Sequence, residues 1–185
     1  MSITTAPLID RFISRTLVNN ISLVFAGALL TSIAAQIQVP MWPVPLTLQT
    51  FIVLLLGATL GAGRASASLS LYLAMGAAGI PVFASAKTLT GVLPTAGFLV
   101  GFVFAAALVG FLASKGFSKT PVKVALSFAA GSAVIYAFGI VGLMLALNLS
   151  FSQAIAAGVV PFLIGDAVKA AAAAALLPLA WKYVK

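Results

Sequence analysis

Long apolar stretches alternate with short polar, proline-rich or glycine-rich connections along the whole chain. A helix of about 20 apolar residues crosses the ~30 Å hydrocarbon core of a bilayer. Stretches that reach or approach this length occupy residues 17–37, 46–60, 65–78, 95–114, 122–147 and 161–181. The second and third are short, so either they extend into their connections or the protein is locally thin there. The pattern predicts an all-α, polytopic membrane protein with six transmembrane helices.

The connections contain the residues that end helices. Residues 38–45 include three prolines, which cannot occupy a helix interior, so a stiff loop is expected there. Glycine, proline or polar residues mark the other connections, at 61–64, 79–93, 115–123 and 148–160. In the last of these, Ser150 or Ser152 is a candidate cap for a following helix. Residues 61–64 are expected to form a turn, and residues 82–93 a loop or a partly re-entrant segment.

Basic residues are distributed unevenly between the two sides of this arrangement. One side carries Arg11, Arg15, Arg64, Lys115, Lys119, Lys123, Lys182 and Lys185. The other carries Lys87. Because Lys and Arg accumulate in cytoplasmic loops, both termini are predicted to be cytoplasmic. Residues 1–16 then form a cytoplasmic segment and residues 17–185 a six-helix membrane domain. A signal peptide is disfavoured because the first apolar stretch exceeds a usual signal core.

Composition supports a membrane protein and excludes several kinds of site. Of 185 residues, 63% are hydrophobic and 6% charged, against about 25% charged in soluble domains. The net charge of +8 is spread over connections, which indicates membrane topology and no nucleic-acid partner. Cysteine and histidine are absent, and the acids are Asp10 and Asp166, so no metal site, paired-carboxylate chemistry or Ser-His-Asp triad is expected. No Walker motif is present. An enzyme is therefore the least favoured class, and no cofactor is expected.

Asp166 and Lys169 are the main candidate functional residues. They lie three residues apart near the start of the last apolar stretch, so a helix places both on one face. Ionisable groups inside a membrane cost a few kcal/mol each and commonly mark functional sites. The topology puts the pair near the outer end of the sixth helix, roughly 7 Å from its start. The favoured interpretation is a binding site for a small polar ligand. The alternative is an ion pair that neutralises itself.

Gln49 and Lys87 are weaker candidates on the same side. Gln49 lies just inside the outer end of the second helix, where a hydrogen bond to another helix is the simpler interpretation. Lys87 is the cation of the outer loops. Its simpler interpretation is a loop lysine exposed to solvent that binds no ligand. Its functional interpretation is a counter-charge for an anionic group of a solute.

Aromatic residues gather near the same ends of the helices: Trp42, Phe83, Phe98, Phe102 and Phe162. An interfacial aromatic belt accounts for them, and one or two could instead line a pocket. The first stretch is rich in small residues, with Gly27 and Thr31, and Ala28 and Ser32, each four residues apart; Ala26 adjoins them. Such faces allow close helix packing, either within the bundle or against a partner subunit.

With these residues in view, the chain resembles the BioY family, the biotin-specific S components of energy-coupling-factor transporters. The resemblance covers residues 17–175. It rests on Val44-Pro45-Leu46-Thr47-Leu48-Gln49-Thr50, Gly79-Ile80-Pro81-Val82-Phe83-Ala84, Pro94-Thr95-Ala96-Gly97-Phe98-Leu99-Val100-Gly101-Phe102, and Pro161-Phe162-Leu163-Ile164-Gly165-Asp166 with Lys169. Four such stretches in the family's order and spacing make a specific match.

The resemblance implies an S-component fold in the cell membrane and a biotin pocket that opens outward. It also implies partners, a transmembrane coupling protein and two ATPase subunits, with the small-residue face Ala26, Gly27, Ala28, Thr31 and Ser32 as the docking face. Asp166 and Lys169 would hold the ureido ring of biotin, and Phe83 and Phe98 would form apolar walls. Gln49 and Lys87 would contact the carboxylate end, and the loop around Trp42 would cover the site.

The sequence departs from the family's pattern at the carboxylate end of this expected site. Thr95 is followed by Ala96 and Phe98, where the family reads glycine and tyrosine, and Leu99 stands where some members place a cation. The assignment of Lys87 to the carboxylate is an inference that fills this gap. Two alternatives stay open, an S component for another small vitamin and an accessory membrane subunit without a ligand.

Overall fold

A computed structural model of the protein describes residues 6–90 and 93–184. Lys185, residues 1–5 of the predicted cytoplasmic segment and residues 91–92 of the predicted loop lie outside the described residues. Within them the α-helices are α1 Leu17–Gln36, α2 Gln49–Leu60, α3 Ala62–Ala77, α4 Ala96–Ser114, α5 Pro121–Leu147, α6 Phe151–Gly158 and α7 Leu163–Tyr183. Short 3-10 turns lie at Leu8–Arg11, Ala84–Ala86 and Val160–Phe162. Two short strands, β1 Gln38–Val39 and β2 Leu46–Thr47, pair antiparallel.

The predicted class, a mostly helical multi-pass membrane protein, is confirmed. Helical stretches long and apolar enough to cross a bilayer are Leu17–Gln36, Ala96–Ser114, Pro121–Leu147 and Phe151–Tyr183. The helix Gln49–Leu60 is apolar but shorter. The number of crossings therefore stays a prediction, as does the side on which the termini lie.

The connection at 148–160 differs from the predicted loop because it contains α6. Asn148 ends α5 in the left-handed conformation (φ 52°). Ser150 then caps α6: its hydroxyl accepts from the Gln153 amide, and the Gln153 side chain accepts from the Ser150 amide. This reciprocal capping box satisfies two amides that the first turn of a helix leaves free. Of the two predicted caps, the structure uses Ser150.

The second helix begins later than predicted. Leu46 and Thr47 are extended and pair with Val39 and Gln38, and α2 starts at Gln49. The proline-rich loop between the strands returns the chain on itself, so the residues on its two sides pair as a small ribbon before the helix can begin. The carbonyl of Thr47 consequently lies outside the hydrogen-bond ladder of α2.

The turn between α2 and α3 is tighter than the predicted 61–64. Gly61 has φ 81°, a conformation that costs glycine little, and α3 begins at the next residue. Arg64 therefore lies within α3, where its side chain reaches back to Asp10 and Asn20.

Helix α4 lies at the centre of the bundle. It packs against α2, α3 and α5, while α1 packs on α3, and α7 packs on α5 and α2. Between α4 and α5, Gly97 and Gly142 bring the two backbones into direct contact. The outward-predicted ends of the helices leave a cavity between α2, α4, α5 and α7, with Lys169 in its wall and Lys87 in a neighbouring loop, and the other basic residues lie on the connections and ends away from it.

Candidate binding site

A pocket opens between the starts of α2, α4 and α7 and the middle of α5. The space between these elements measures about 530 Å³ when the adjoining open solvent is included. The side chains that line it are Val44, Pro45, Thr47, Gln49, Thr50, Phe83, Ala84, Thr95, Phe98, Leu99, Phe102, Ile135, Tyr136, Phe162, Asp166 and Lys169. Most of this wall is apolar, and its polar groups converge around Asp166 and Lys169.

Asp166 lies in the first turn of α7, close to the partial positive charge of the helix N-terminus, which favours a carboxylate. Oδ1 accepts hydrogen bonds from Lys169 Nζ at 3.0 Å and from the Thr50 hydroxyl at 3.2 Å. Oδ2 accepts from the Tyr136 hydroxyl at 2.5 Å. The carboxylate is thus bound from α2, α5 and its own helix.

Lys169 is also held by more than one element. Besides Asp166, its ammonium donates to the Thr50 hydroxyl at 2.7 Å and to the Thr47 carbonyl at 2.9 Å. An ammonium has three N–H groups, and three acceptors surround this one. The side chains of Asp166 and Lys169 are 12% and 14% exposed, so the pair is nearly enclosed but reachable. The predicted proximity of the two groups is confirmed.

Tyr136 and Thr50 line the pocket and bind Asp166, and neither was predicted from the sequence. Thr50 was part of a family-like stretch but had no assigned role. Tyr136 stands in an otherwise largely apolar helix, and a tyrosine hydroxyl buried in a membrane needs a hydrogen-bond partner. Asp166 is the acid within the apolar stretches. The requirement of the Tyr136 hydroxyl for a partner could therefore have pointed to a contact with Asp166.

Gln49 lines the pocket, and it also makes a hydrogen bond to another helix, as the simpler interpretation predicts. Its side chain is 3% exposed, and Nε2 donates to the Tyr72 hydroxyl of α3 at 2.6 Å. That hydroxyl donates to the Val82 carbonyl at 3.3 Å. Gln49 Oε1 accepts from Thr47 at 3.2 Å. Gln49 therefore connects the start of α2 to α3 and to the loop that follows α3.

Two predicted aromatic walls, Phe83 and Phe98, line the pocket, and each ring is seated on a glycine. A Cβ added to Gly76 of α3 would overlap the Phe83 ring, and one added to Gly139 of α5 would overlap the Phe98 ring. Tyr72 packs edge-on against Phe83, with ring centroids 5.2 Å apart. These glycines set how far the rings extend into the pocket.

The loop that carries Phe83 is fastened to the end of α1. Gln36 donates to the Phe83 carbonyl at 3.1 Å and accepts from the Ala86 amide at 3.2 Å, and Gln38 donates to the Ser85 hydroxyl at 2.8 Å. Ser85 and Ala86 both have positive φ, which turns the chain tightly between Phe83 and its paired residue Lys87.

Neither Lys87 nor Trp42 is among the described residues that line the pocket. Lys87 is exposed, and its carbonyl accepts from the Phe83 amide at 3.0 Å. Trp42 is 82% exposed, while Val44 and Pro45 of the same loop do line the pocket. The proposed contact of Lys87 with a carboxylate and the covering role of Trp42 stay predictions.

The small-residue face of α1 is largely used within the chain. Gly27, Ala28 and Thr31 are buried, and a Cβ on Gly27 would overlap Ser68 of α3. Ser32 is partly buried, and Ala26 is exposed. The three buried residues therefore pack within the bundle. Docking to a partner stays a prediction, and Ala26 is the exposed residue of this face that such a partner would contact.

Comparisons with known proteins identify the family. The model of the BioY family matches residues 5–185. The chain belongs to the BioY family. A relative from Pyrococcus horikoshii named "Probable biotin transporter BioY" is 41% identical over 155 residues, which cover 83% of this chain and 90% of the relative. The "Biotin transporter BioY" of Thermotoga maritima is 38% identical over 144 residues, covering 77% and 83%.

A solved structure shows the same fold as this BioY-family chain. It is described as the S-component for biotin from an ECF-type ABC transporter, and it superposes with a TM-score of 0.77 at 19% identity. The superposition covers 92% of this chain and 95% of that one. The predicted S-component fold is therefore confirmed.

Proposed function

We propose that this protein binds biotin with high affinity and mediates its uptake as the substrate-specific subunit of an energy-coupling-factor transporter. The observation that carries the proposal is a carboxylate and an ammonium, Asp166 and Lys169, placed together at the polar end of an apolar pocket. The family membership and the names of the relatives support the same substrate.

Biotin has a polar ureido ring fused to an apolar bicycle, with a valerate chain that ends in a carboxylate. The ureido group presents two N–H donors and one carbonyl acceptor. Asp166 accepts from the N–H groups and Lys169 donates to the carbonyl, since both lie on one helix face. The apolar part of the ligand packs against Phe83, Phe98 and Phe162.

Binding requires an exchange of hydrogen bonds. In the structure Lys169 has three acceptors and Asp166 has three donors. A ureido carbonyl therefore replaces one acceptor of Lys169; the Thr50 hydroxyl is the candidate we favour, because it still donates to Asp166 after the exchange. Such an exchange keeps every buried polar group paired, which limits the cost of binding.

Lys87 is proposed to attract the valerate carboxylate from the outer loop. The test compares biotin with biotin amide, which lacks that charge. Lys87→Ala is expected to weaken biotin binding more than biotin-amide binding, because the lost attraction acts on the carboxylate. Equal losses for both ligands would remove Lys87 from this role.

The wider assembly belongs to the same proposal. The protein crosses the membrane six times with both termini in the cytoplasm, where the basic connections lie. A transmembrane coupling protein and two ATPase subunits supply the energy, since the chain has no Walker motif. The coupling protein docks beside α1, with Ala26 on the face that is exposed.

Equilibrium binding of labelled biotin to the purified chain in detergent tests the proposal, with Asp166→Asn as the matched variant. Wild type should bind, and the variant should bind much more weakly, because an amide replaces one acceptor oxygen with a donor that faces the ureido N–H groups. Absence of biotin binding together with binding of another vitamin would assign a different substrate. If neither binds and Asp166→Asn changes no property, the chain is an accessory subunit.

A further inference from the structure

A concavity lined by three basic side chains lies at the end of the bundle away from the binding pocket, where α7 ends. The residues that line it are Arg11, Lys119, Pro178, Trp181, Lys182 and Val184. The space between them measures about 770 Å³ when the adjoining open solvent is included. The three charges come from the 3-10 turn before α1, the connection between α4 and α5, and the last turn of α7. The fold thus gathers like charges that are far apart in sequence.

Contacts on the α7 side fix this arrangement. Trp181 Nε1 donates to the Ser118 hydroxyl at 3.0 Å, which ties the end of α7 to the α4–α5 connection. Lys119 Nζ lies 4.9 Å from the centroid of the Trp181 ring, within the range of a cation–π interaction. The Trp181 ring therefore forms part of the wall of the concavity, and the Lys119 ammonium lies over its face.

Arg11 is held in place by its neighbours in the 3-10 turn. Leu8 is buried, and Asp10 pairs with Arg15 Nη2 at 2.6 Å and with Arg64 Nη2 at 2.7 Å. The turn is thereby fastened to the starts of α1 and α3, and Arg11 remains at the rim of the concavity.

The basic residues of the concavity have no acidic partner within residues 6–90 and 93–184. The acids there are Asp10 and Asp166, and their ion pairs are with Arg15 and Arg64, and with Lys169. Three cations left unneutralised around one space repel each other, and an anion placed among them relieves that repulsion.

The apolar part of the concavity indicates which kind of anion fits. Pro178, Trp181 and Val184 line it beside the charges. The same end of α7 exposes the large apolar side chains Leu176, Leu179 and Tyr183. We propose that the concavity binds the phosphate of an anionic phospholipid headgroup, whose acyl chains run along α7. Basic pockets at helix ends, with tryptophan at headgroup level, suit such lipids.

Native mass spectrometry of the purified full chain tests the proposal with phosphatidylglycerol and phosphatidylcholine of identical acyl chains. Wild type should retain phosphatidylglycerol preferentially. The double variant Lys119→Gln/Lys182→Gln should lose that preference by about fivefold for each lysine and about 25-fold for the pair. The control Lys115→Gln/Lys123→Gln removes two charges at the end of α4 and the start of α5, outside the concavity, and should retain the preference. Unchanged biotin binding in both variants shows that they fold.

Three results would overturn the proposal. Equal loss in the test and control variants would indicate diffuse attraction without a site. Release of the lipid by inorganic phosphate at millimolar concentration would indicate a site for soluble anions. No preference for phosphatidylglycerol, combined with loss of biotin uptake by Lys119→Gln/Lys182→Gln in cells, would assign the concavity to an acidic surface of a partner subunit.

Discussion

At the scale of single residues, Asp166 and Lys169 are compatible with a membrane because three polar atoms around them, the Thr50 and Tyr136 hydroxyls and the Thr47 carbonyl, come from two helices and a strand. Each partner neutralises the other, and Thr50 donates to one while it accepts from the other. In the proposed binding mode, the ligand exchanges with one of these existing hydrogen bonds. Loss of one member leaves the other charge largely enclosed without a counter-charge.

Lys169→Ala is expected to weaken biotin binding and to lower the stability of the ligand-free protein. Asp166 would keep the hydroxyls of Tyr136 and Thr50 but lose its cation, and removal of one member of a buried ion pair costs up to about 3–5 kcal/mol. Partial exposure places the expected loss at the lower end of this range. Thermal unfolding in detergent without biotin measures it, with Lys123→Ala as a control. Normal binding by Lys169→Ala would contradict the ureido contact.

Tyr136→Phe should reduce biotin affinity by about tenfold, because the lost hydroxyl orients Asp166 Oδ2 and a hydrogen bond to a charged group contributes about 1.5 kcal/mol or more. Titration with labelled biotin gives the affinity. Tyr183→Phe removes the same atom from a residue that is 82% exposed, and should bind as wild type. Equal affinities of Tyr136→Phe and wild type would show that the carboxylate needs no such support.

At the scale of helices and loops, the pocket is shaped by what lies behind its walls. The Phe98 ring packs directly against Gly139 of α5, where a Cβ atom would leave no room for it. The Phe83 ring packs in the same way against Gly76 of α3. The loop carrying Phe83 is bound in turn to the end of α1 through Gln36. Movements of α1 would therefore be transmitted to one wall of the pocket.

Gly139→Ala is expected to displace Phe98 into the pocket and weaken biotin binding by about tenfold or more, since overpacking costs about 1–3 kcal/mol. Binding titrations measure the effect. Gly63→Ala adds the same methyl group where no atom lies within 4 Å, and should leave binding unchanged. Wild-type affinity in Gly139→Ala would show that Phe98 can move aside without narrowing the site.

At the scale of the whole molecule, the two ends of the bundle have different chemistry. One end holds an enclosed ion pair and an apolar pocket, and the other holds most of the basic residues and the anchored N-terminal turn. Burial raises the pKa of Asp10, but hydrogen bonds and charge interactions with Arg15 and Arg64 outweigh it and hold the pKa below the usual 3.8. The ion pairs of Asp10 thus contribute to stability at neutral pH.

Asp10→Asn should lower the melting temperature by a few degrees at pH 7, with a smaller difference from wild type at about pH 3. A carboxyl whose folded pKa is depressed stabilises the fold above its unfolded pKa, and this contribution disappears as the pH falls through the folded value. Melting curves of both proteins across this range provide the measurement. A difference that stays constant with pH would mean that the Asp10 charge is not responsible.

Sequence patterns determined what depends on near neighbours. Apolar runs of helical length, prolines that end helices and the spacing of Asp166 and Lys169 all act within a few residues, so the class of protein and the central pair could be predicted. The family resemblance added Gln49, Phe83 and Phe98 to the pocket, and the structure places them there.

Tertiary structure decided which distant groups complete the site and which predicted ones lie outside it. Thr50 and Tyr136 reach Asp166 across 116 and 30 residues of chain. The Thr47 carbonyl is available because a strand pairing, and not a helix, forms before Gln49. Lys87 lies in a loop closed on Phe83, so it does not line the pocket. Such contacts depend on how helices pack against each other, which local periodicity does not encode.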